Sequence, residues 1–268
     1  MSATALIAGT GALPRLLAGV ISGDWVLCEM EGFPSSVPGI EPVRFRVERL
    51  VPFLDGLVDR GIGRVIFAGA MRRPRLDPEL FDARTATLVP RLLQAMQSGD
   101  DATLREVIAI FEDWDLEVVG ADQIDPDLVP GPGVLTGNPT NADAADADRA
   151  AAIVAALGSV DIGQGAVVAQ GLCLAVEALP GTDAMLEFAA LHQGLRPNPD
   201  GARGVVFKAP KPGQDRRIDL PSIGPETVKR AAAAGLAGIA WEAGGVLLLD
   251  RAATLAEAEA RGLFLWAR

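Results

Sequence analysis

The sequence predicts an α/β protein in which a parallel-sheet domain precedes a distinct mixed α/β domain. The first half alternates short apolar runs with amphipathic segments, which is the βαβ pattern of a parallel sheet covered by helices. That alternation ends near Pro126, where Pro, Gly and Asn cluster without apolar periodicity. The second half has glycine-centred hairpin patterns between its helical patterns. The N-terminal domain is therefore predicted to be Rossmann-like, and the C-terminal domain to have another architecture.

Residues 1–130 carry the parallel-sheet pattern. Strands are predicted at the runs TALIA, DWVLCE, VRFRV, RVIFAG and LEVVGA, with amphipathic helices between most of them. Two longer helical patterns run from Thr87 to Gln97 and from Asp101 to Asp113. Residues 131–141 are rich in Pro, Gly and Asn and are predicted to be a linker.

Residues 142–268 are predicted to form the C-terminal domain, which begins with an alanine-rich helix from Ala142 to Leu157. The run AVVAQGLCLAVE predicts a hairpin that turns at Gln170 and Gly171. The run GIAWEAGGVLLLD predicts a second hairpin, with its turn around the glycine pair that follows Ala243. Further helices are predicted from Thr182 to Gln193, from Pro225 to Ala234 and from Thr254 to Arg261.

Composition excludes several classes of function. The chain has 268 residues and is 49% hydrophobic, which is enough for a substantial core. Its net charge of −11 argues against a broad electrostatic grip on nucleic acid, so an anionic ligand must be bound locally. Cys28 and Cys173 lie in apolar runs and are predicted to be buried free thiols of a cytoplasmic protein. No apolar run is long enough to span a bilayer, and the start lacks the basic region of a secretory signal.

The stretch KAPKPGQDRRIDLPSIGP, from Lys208 to Pro225, is dense in charge and in proline. Its prolines and Gly213 keep most of it out of any helix, so it is predicted to be a rigid surface loop. Lys208, Lys211 and Gln214 could clamp a diphosphate while Asp219 holds a metal or orients water, as phosphoryl hydrolysis requires. A solvated connector with internal ion pairs explains the same composition, and the residues alone leave both alternatives open.

A second candidate site is GTGALP, from Gly9 to Pro14, which follows a predicted strand and opens a helix. A glycine turn at such a place lets phosphate oxygens meet backbone N–H groups at the positive end of the helix. Pro14 replaces the third glycine of the dinucleotide fingerprint, while Glu31 lies about where a ribose-binding acid would fall. Nucleotide contact and a plain tight turn both remain open.

The run EALPGTDAML leaves a strand through Pro180 and Gly181 and enters a helix. Thr182 is predicted to cap that helix, and capping would also account for Asp183. A glycine-led helix start is equally suited to an anion, and Glu177 at the end of the strand could face it. Structure and function explain this run equally well.

Metal binding by histidine is nearly excluded, because His192 is the single histidine and is predicted to be structural, at a helix end. Carboxylate oxygens would have to hold any metal, and they prefer Mg²⁺ or Mn²⁺. The run SGDDATLR offers Asp100 and Asp101 beside Ser98, which is a predicted helix cap. These acids either stabilise the start of a helix or act as ligands.

Five blocks of the sequence resemble a known family: LIAGTGALP, SGDDATLREVI, EALPGTDAML, KAPKPGQDRRIDLPSIGPETV and AGLAGIAWEAGGVLLLD. They are similar, in order and over nearly the whole chain, to the UDP-2,3-diacylglucosamine pyrophosphatases of lipid A biosynthesis, in the form unrelated to the calcineurin-like enzyme. The alphaproteobacterial members look most similar. The resemblance implies a Mg²⁺-dependent hydrolase that releases UMP and 2,3-diacylglucosamine 1-phosphate, with water attacking the phosphorus on the sugar side.

The same resemblance implies roles for individual residues. Asp219 matches the family's essential acid and would act on Mg²⁺ and on the attacking water. Lys211 would contact the diphosphate as a second catalytic residue. The other residues implied to bind substrate are Thr10, Gly11, Thr182, Asp183, Lys208 and Gln214. The chain departs from the commonest form of the family at Thr10, where many members have Asn, and at Ala70, where many have Lys.

A diacylated sugar substrate implies contact with the inner membrane. Because the chain is acidic overall, we expect only transient contact, through a local patch such as the one around Arg72, Arg73 and Arg75. No nucleic-acid partner is expected, and the sequence allows a homodimer without indicating one. Two other functions remain to be separated from hydrolysis, a nucleotide-cofactor oxidoreductase that uses GTGALP and Glu31, and a noncatalytic module that binds a sugar nucleotide or a lipid.

Overall fold

A computed structural model describes residues 2–71 and 74–268, with the backbone alone described for Asp100. Contacts divide the chain into two compact units. The first unit comprises Met1–Pro126 together with Asp215–Asp219, and the second comprises Asp127–Gln214 and Leu220–Arg268. The charged loop therefore contributes residues to both units.

A parallel sheet of five strands forms the centre of the first unit, in the order β3-β2-β1-β4-β5. Its strands are β1 (Ala3–Ala8), β2 (Trp25–Met30), β3 (Val43–Phe45), β4 (Ile62–Ala68) and β5 (Glu117–Val118). The strand order reverses at β1, as in Rossmann folds, and places the carboxyl ends of β1 and β4 side by side. The prediction of a Rossmann-like parallel sheet is confirmed.

The helices of the first unit are α1 (Leu13–Ala18), α2 (Leu50–Asp59), α3 (Ala83–Ala86), α4 (Val89–Gln97), α5 (Asp100–Glu112) and α6 (Ala121–Ile124). Aliphatic side chains such as Leu54 and Ile110 pack with Phe111 to form its core. The predicted helix cap at Ser98 is wrong, because Gly99, with a φ of 113°, occupies the capping position. The Ser98 hydroxyl donates instead to the Gln94 carbonyl at 3.3 Å.

A mixed sheet of six strands forms the second unit, in the order β6-β13-β11-β9-β7-β8. Strands β9, β11 and β13 are parallel to one another, whereas β6, β7 and β8 join by antiparallel pairing. A separate parallel pair is formed by β10 and β12. The strands are β6 (Gly133–Thr136), β7 (Gly165–Ala169), β8 (Leu172–Val176), β9 (Val205–Lys208), β10 (Ser222–Ile223), β11 (Gly238–Trp241), β12 (Leu247–Leu248) and β13 (Phe264–Ala267). This is the mixed α/β architecture that was predicted.

Helices cover both faces of the mixed sheet, and they are α7 (Asn141–Gly158), α8 (Gly181–Leu191), α9 (Pro225–Ala233) and α10 (Arg251–Arg261). One buried cluster joins α7 to the sheet through side chains such as Val154 and Val205. Another cluster joins the other three helices to the opposite face, where Leu186 and Val228 pack with Val206. His192 is the C-cap residue of α8, at a helix end as predicted, and its ring lies 4.4 Å from that of Phe188, centroid to centroid, at an interplanar angle of 53°.

Two expectations about connections differ from the structure. Residues 131–141, predicted to be a linker, include β6, which pairs with β13, so part of this stretch belongs to the sheet. The predicted hairpin around Gly244 and Gly245 is wrong, since β11 and β12 lie in different sheets. Glycine is needed at position 245 for another reason, because a Cβ there would lie 2.8 Å from Pro210 Cδ.

The hairpin predicted at Gln170 and Gly171 is confirmed as the turn between β7 and β8. Both residues have positive φ, 53° for Gln170 and 77° for Gly171, as a two-residue hairpin turn demands. The buried carboxylate of Asp146 accepts hydrogen bonds from both backbone N–H groups, at 2.9 and 2.7 Å. The side chain of Asp146 on α7 therefore stabilises this turn. Its glycine had indicated the place of the turn in the sequence.

The two thiols differ from each other, whereas both were predicted to be buried. Cys28 is buried, and desolvation raises its pKa to about 12. Cys173 lies on the edge strand β8 and is exposed. None of the helices that the described residues form has the length and apolar character needed to cross a membrane.

Candidate active site

A buried lysine organises one cluster in the second unit. Lys208 is the last residue of β9, and only 6% of its side chain is exposed. Its Nζ donates to Thr182 Oγ1 at 2.6 Å and to the Ser222 carbonyl at 3.3 Å, and lies 3.7 Å from Glu177 Oε2. The Thr182 hydroxyl in turn donates to Glu177 Oε2 at 2.7 Å. The ammonium and the carboxylate are thus joined through one hydroxyl.

Local structure explains why these residues meet. Glu177 follows β8 directly, and Thr182 lies in the first turn of α8. Two glycines make room for the glutamate, since a Cβ on Gly163 would overlap its carbonyl oxygen and one on Gly165 would lie 2.7 Å from Oε2. Thr182 was predicted to cap α8, but Pro180 occupies that position and the hydroxyl is used by the cluster instead.

The turn that follows β9 holds Lys211 and Gln214. The Gln214 side-chain oxygen accepts from the Lys211 backbone N–H at 2.9 Å, and the Gln214 N–H donates to the Lys211 carbonyl at 3.1 Å. Gly213 has a φ of 77°, which favours glycine at this tight turn. The Lys211 ammonium is paired with the Asp161 carboxylate. The turn is therefore rigid, and an ion pair fixes its lysine.

Asp183 lies in a different environment from the residue before it. Its carboxylate is mostly exposed and lies 3.3 Å from Arg230 Nε. Arg230 also pairs with Glu187 and Glu226, which completes a surface ion-pair network between α8 and α9. The structure therefore brings Thr182 and Lys208 together but gives Asp183 a partner outside their cluster.

Within the first unit, Asp215 and Arg217 form a fork. The Arg217 guanidinium donates to both carboxylate oxygens of Asp215, at 3.0 and 2.7 Å, and to Glu112 Oε1 at 2.5 Å. These hydrogen bonds lower the pKa of Asp215 and raise that of Arg217. Ile218 is buried among the core side chains of the same unit. Arg217 thus has a structural role in holding this segment.

Asp219 ends that segment and is exposed. Its φ of 64° is in the left-handed region, which is uncommon for residues other than glycine. Such conformations cost energy and are concentrated at functional sites. Arg217 engages both oxygens of Asp215, and Asp219 is the more exposed of the two aspartates.

The donor set limits how a divalent metal could bind. Among the side chains that the structure describes, which exclude that of Asp100, no three His, Cys, Asp or Glu side chains converge on a ready-made site. Mg²⁺ is commonly held by one or two carboxylates, with water and substrate phosphate oxygens completing its shell. An exposed aspartate such as Asp219 fits that mode of binding. The described side chains do not form a site in which protein groups alone would surround the metal.

The Gly9–Pro14 turn uses its backbone groups internally. The N–H groups of Gly9 and Thr10 donate to the carbonyls of Ala68 and Ala70, at 2.8 and 3.1 Å, and that of Gly11 donates to a serine hydroxyl at 3.0 Å. A phosphate cradle needs such groups directed at the ligand. The serine hydroxyl belongs to Ser36, which is exposed, so the Gly11 N–H is the one of the three whose partner can rotate away.

Thr10 and Ala70 form an isolated antiparallel bridge across the ends of β1 and β4. These are the two positions at which the chain departs from the commonest form of the family that it resembles. The departures therefore concern one place in the fold, although 60 residues separate them in sequence. Glu31, the predicted ribose-binding acid, pairs with Arg46 at 3.0 Å.

Sequence reasoning missed two acids of the second unit. Asp161 pairs with Lys211 and has a φ of 57° in the turn after α7. Glu242 directly follows β11, and its N–H donates to the Lys208 carbonyl at 3.0 Å. An acid immediately after a buried strand is a signal that could have indicated Glu242, because carboxyl ends of parallel strands share one edge of a sheet. No comparable signal indicated Asp161.

Comparison with known proteins decides the family. The LpxI N-terminal domain model matches residues 3–128, and the LpxI C-terminal domain model matches residues 131–266. The chain belongs to the LpxI family. A UDP-2,3-diacylglucosamine pyrophosphatase LpxI from Caulobacter vibrioides is 41% identical to this chain over an alignment of 283 positions, which spans 97% of this chain and 95% of the relative.

Acid should destabilise the first unit of this LpxI-family chain through three aspartates. The pKa of Asp55 is lowered chiefly by a hydrogen bond from Trp114, that of Asp82 by Thr85, and that of Asp215 by Arg217, each from an ordinary value of 3.8. Because the folded-state pKa lies below the unfolded-state pKa, their stabilisation is complete above the unfolded value and is lost as pH falls through the folded value.

Urea unfolding of the full chain should therefore show a midpoint that falls steadily once the pH drops below about 4. The variant Asp55→Asn should reduce that pH dependence, while Asp24→Asn, at an exposed position, should leave it unchanged. An unaltered pH dependence in Asp55→Asn would show that this carboxylate does not contribute.

Proposed function

We propose that this protein hydrolyses the diphosphate of UDP-2,3-diacylglucosamine to UMP and 2,3-diacylglucosamine 1-phosphate, with Mg²⁺ or Mn²⁺ as cofactor. The observation that carries the proposal is the similarity of this chain to a UDP-2,3-diacylglucosamine pyrophosphatase. The alignment covers 97% of this chain and 95% of the relative. The chain is thus a hydrolase of the LpxI family. The identity of the metal and of the two products is what this proposal adds to membership of the family.

Two lysines are the proposed cations for the diphosphate. Lys208 and Lys211 are two of the three lysines in the chain, and the third is Lys229 on α9. An ammonium held in a largely buried place interacts more strongly with a phosphate than one in water, because the local dielectric is lower. Lys208 and Lys211 would neutralise the developing charge, while Thr182 and Gln214 would fix the orientation of the sugar phosphate.

Asp219 is the acid in this proposal. The Asp219 carboxylate would orient the attacking water, whose oxygen forms the new bond to the sugar-side phosphorus as the bond to the UMP oxygen breaks. A bound Mg²⁺ would stabilise the negative charge on the diphosphate oxygens. Thr10 and Gly11 are proposed to approach the nucleotide, and Asp183 the sugar, which for Asp183 requires competition with Arg230.

The direct test is product formation. Purified protein incubated with UDP-2,3-diacylglucosamine and Mg²⁺ should release UMP, and EDTA should stop the reaction. Titration with NAD should show no saturable binding, which separates hydrolysis from an oxidoreductase function. Saturable substrate binding without UMP release in either Mg²⁺ or Mn²⁺ would overturn the proposal in favour of a noncatalytic binding module.

Lys211→Ala should weaken substrate affinity and also lower kcat, since it removes a cation proposed to contact the diphosphate in both the ground state and the transition state. A loss of roughly 10- to 100-fold in kcat/KM is expected for one charged contact. Lys229→Ala is the matched control, because Lys229 is exposed and pairs only loosely, 3.7 Å from Glu226. If Lys211→Ala behaves as the control does, Lys211 serves only its ion pair with Asp161.

Contact with the membrane and self-association also belong to the proposal. The patch predicted to touch the inner membrane falls largely outside the described residues, since of its three arginines only Arg75 is described and Arg72 and Arg73 are not. A cytoplasmic protein that meets the membrane transiently, and a homodimer, remain proposals. Co-sedimentation with anionic vesicles tests the first and sedimentation equilibrium the second.

A further inference from the structure

Glu177 is a largely buried carboxylate that the proposed reaction does not use. Only 14% of its side chain is exposed, and Oε2 accepts the Thr182 hydroxyl at 2.7 Å while lying 3.7 Å from Lys208 Nζ. A carboxylate that faced the diphosphate directly would repel it. Its value to a phosphate site must therefore lie in what it does to its neighbours.

The direction of the hydrogen bonds shows what it does. A threonine hydroxyl has one proton, and here that proton is donated to Glu177. The lone pairs of the same oxygen are thereby directed elsewhere, and one of them accepts from Lys208 Nζ at 2.6 Å. The Glu177 carboxylate thus sets the orientation of the Thr182 hydroxyl, and the hydroxyl in turn sets the position of the Lys208 ammonium.

The surrounding backbone is adapted to this arrangement. Gly163 and Gly165 pass so close to Glu177 that any Cβ at either position would collide with it. Lys208 is held at the end of β9 and Thr182 in the first turn of α8, both on regular elements of the second unit. Sites built on such elements hold their geometry more closely than sites on loops.

We propose that Glu177 is a positioning residue that orients the Thr182 hydroxyl and, through it, the Lys208 ammonium toward the diphosphate. This inference rests on the proposed function for its kinetic consequence. Glu177 makes no contact with substrate in this role, so its effect on catalysis is transmitted entirely by Thr182 and Lys208. Residues of this kind typically change activity by about 10- to 100-fold when they are removed.

The test is a double-mutant cycle of Glu177→Gln and Thr182→Val. Glutamine keeps the size of Glu177 but removes its charge, so its hydrogen bond to the hydroxyl is no longer charge-assisted and is weaker. Valine keeps the shape of threonine. Glu177→Gln should lower kcat/KM by about 10- to 100-fold. In the Thr182→Val background the same change should have much less effect, since the hydroxyl that it orients is gone.

Strictly additive losses in the cycle would overturn the proposal, as would an unchanged kcat/KM in Glu177→Gln. Glu187→Gln is the matched control, because this exposed glutamate pairs with Arg230 and should leave kcat/KM unchanged. If Glu177→Gln proves poorly folded, Glu177→Asp keeps the charge and should give an intermediate kcat/KM. The shorter aspartate should hold the Thr182 hydroxyl less well, so full activity in a folded Glu177→Asp variant would also count against the proposal.

A binding measurement separates this inference from the proposed function. The affinity of each variant for UDP-2,3-diacylglucosamine is measured by calorimetry in EDTA, where no turnover is expected. Wild-type protein that binds but never hydrolyses would overturn the proposed reaction, and the coupling between Glu177 and Thr182 would then be judged from the binding cycle alone. Wild-type protein that neither binds nor hydrolyses would overturn both.

Discussion

Asp219→Asn is expected to lower kcat by about 10²- to 10⁴-fold, the usual range for losing a group that acts on the attacking water, while substrate still binds. Asparagine is the suitable replacement because it keeps the size of the side chain and tolerates the left-handed backbone that a φ of 64° requires. It removes the negative charge alone. Measurements of kcat by UMP release, and of substrate affinity by calorimetry, would check both parts.

Asp115→Asn provides the control for this variant. Asp115 is also an exposed aspartate of the first unit, and its φ of 57° is close to that of Asp219. The change should leave kcat unaltered, which would show that neither the charge at an exposed position nor the unusual backbone matters in itself. Near-normal turnover in Asp219→Asn would mean that another acid of the chain performs the chemistry.

Lys208→Met is expected to abolish turnover and also to destabilise the second unit by about 3–5 kcal/mol. Methionine fills a similar volume, but it leaves the Glu177 carboxylate largely buried without the ammonium 3.7 Å away. Removing one partner of such a pair is costly because the remaining charge has lost its compensation. Urea unfolding gives the stability, and UMP release gives the turnover.

Two further variants separate stability from chemistry. Lys229→Met, at an exposed position 3.7 Å from Glu226, should change stability by less than about 0.5 kcal/mol and leave turnover intact. Adding Glu177→Gln to Lys208→Met removes both charges, so it should recover much of the stability without recovering activity. Turnover in that double variant would contradict the role given to the Lys208 ammonium.

Elements with a strong local signal were predictable from sequence. The Gln170–Gly171 hairpin was located by a glycine turn between two apolar runs, and α5 by its helical periodicity. The glycine pair after Ala243 carried a similar signal, yet it connects strands of two different sheets. Local pattern indicates that the chain turns, but strand pairing depends on partners distant in sequence.

The candidate site shows the same difference between single residues, which the sequence indicated, and their long-range contacts, which it did not. Lys208 and Thr182 were both selected as single residues, but their contact joins positions 26 residues apart and depends on how α8 packs beside the sheet. Asp183, adjacent to Thr182, points instead to Arg230, because successive helical residues face different directions. The resemblance to the family selected Asp219, and no local signal in the sequence distinguished it from Asp215. The sequence also gave no indication that both oxygens of Asp215 accept from Arg217.

Asp215–Asp219 belong to the first unit although they lie in the second half of the sequence, and this matters when the gene is divided into fragments. A fragment that ends at Pro126 would lack Ile218, whose side chain completes the hydrophobic core of that unit, and would lack the arginine that engages Glu112. The N-terminal half of the coding sequence therefore does not encode a whole structural unit, whereas the C-terminal half encodes the second unit together with five residues of the first. Recombining halves between relatives would separate Ile218 and Asp219, the proposed catalytic acid, from the core of the first unit in which they belong. Chimeras should therefore take these five residues from the parent of the N-terminal half.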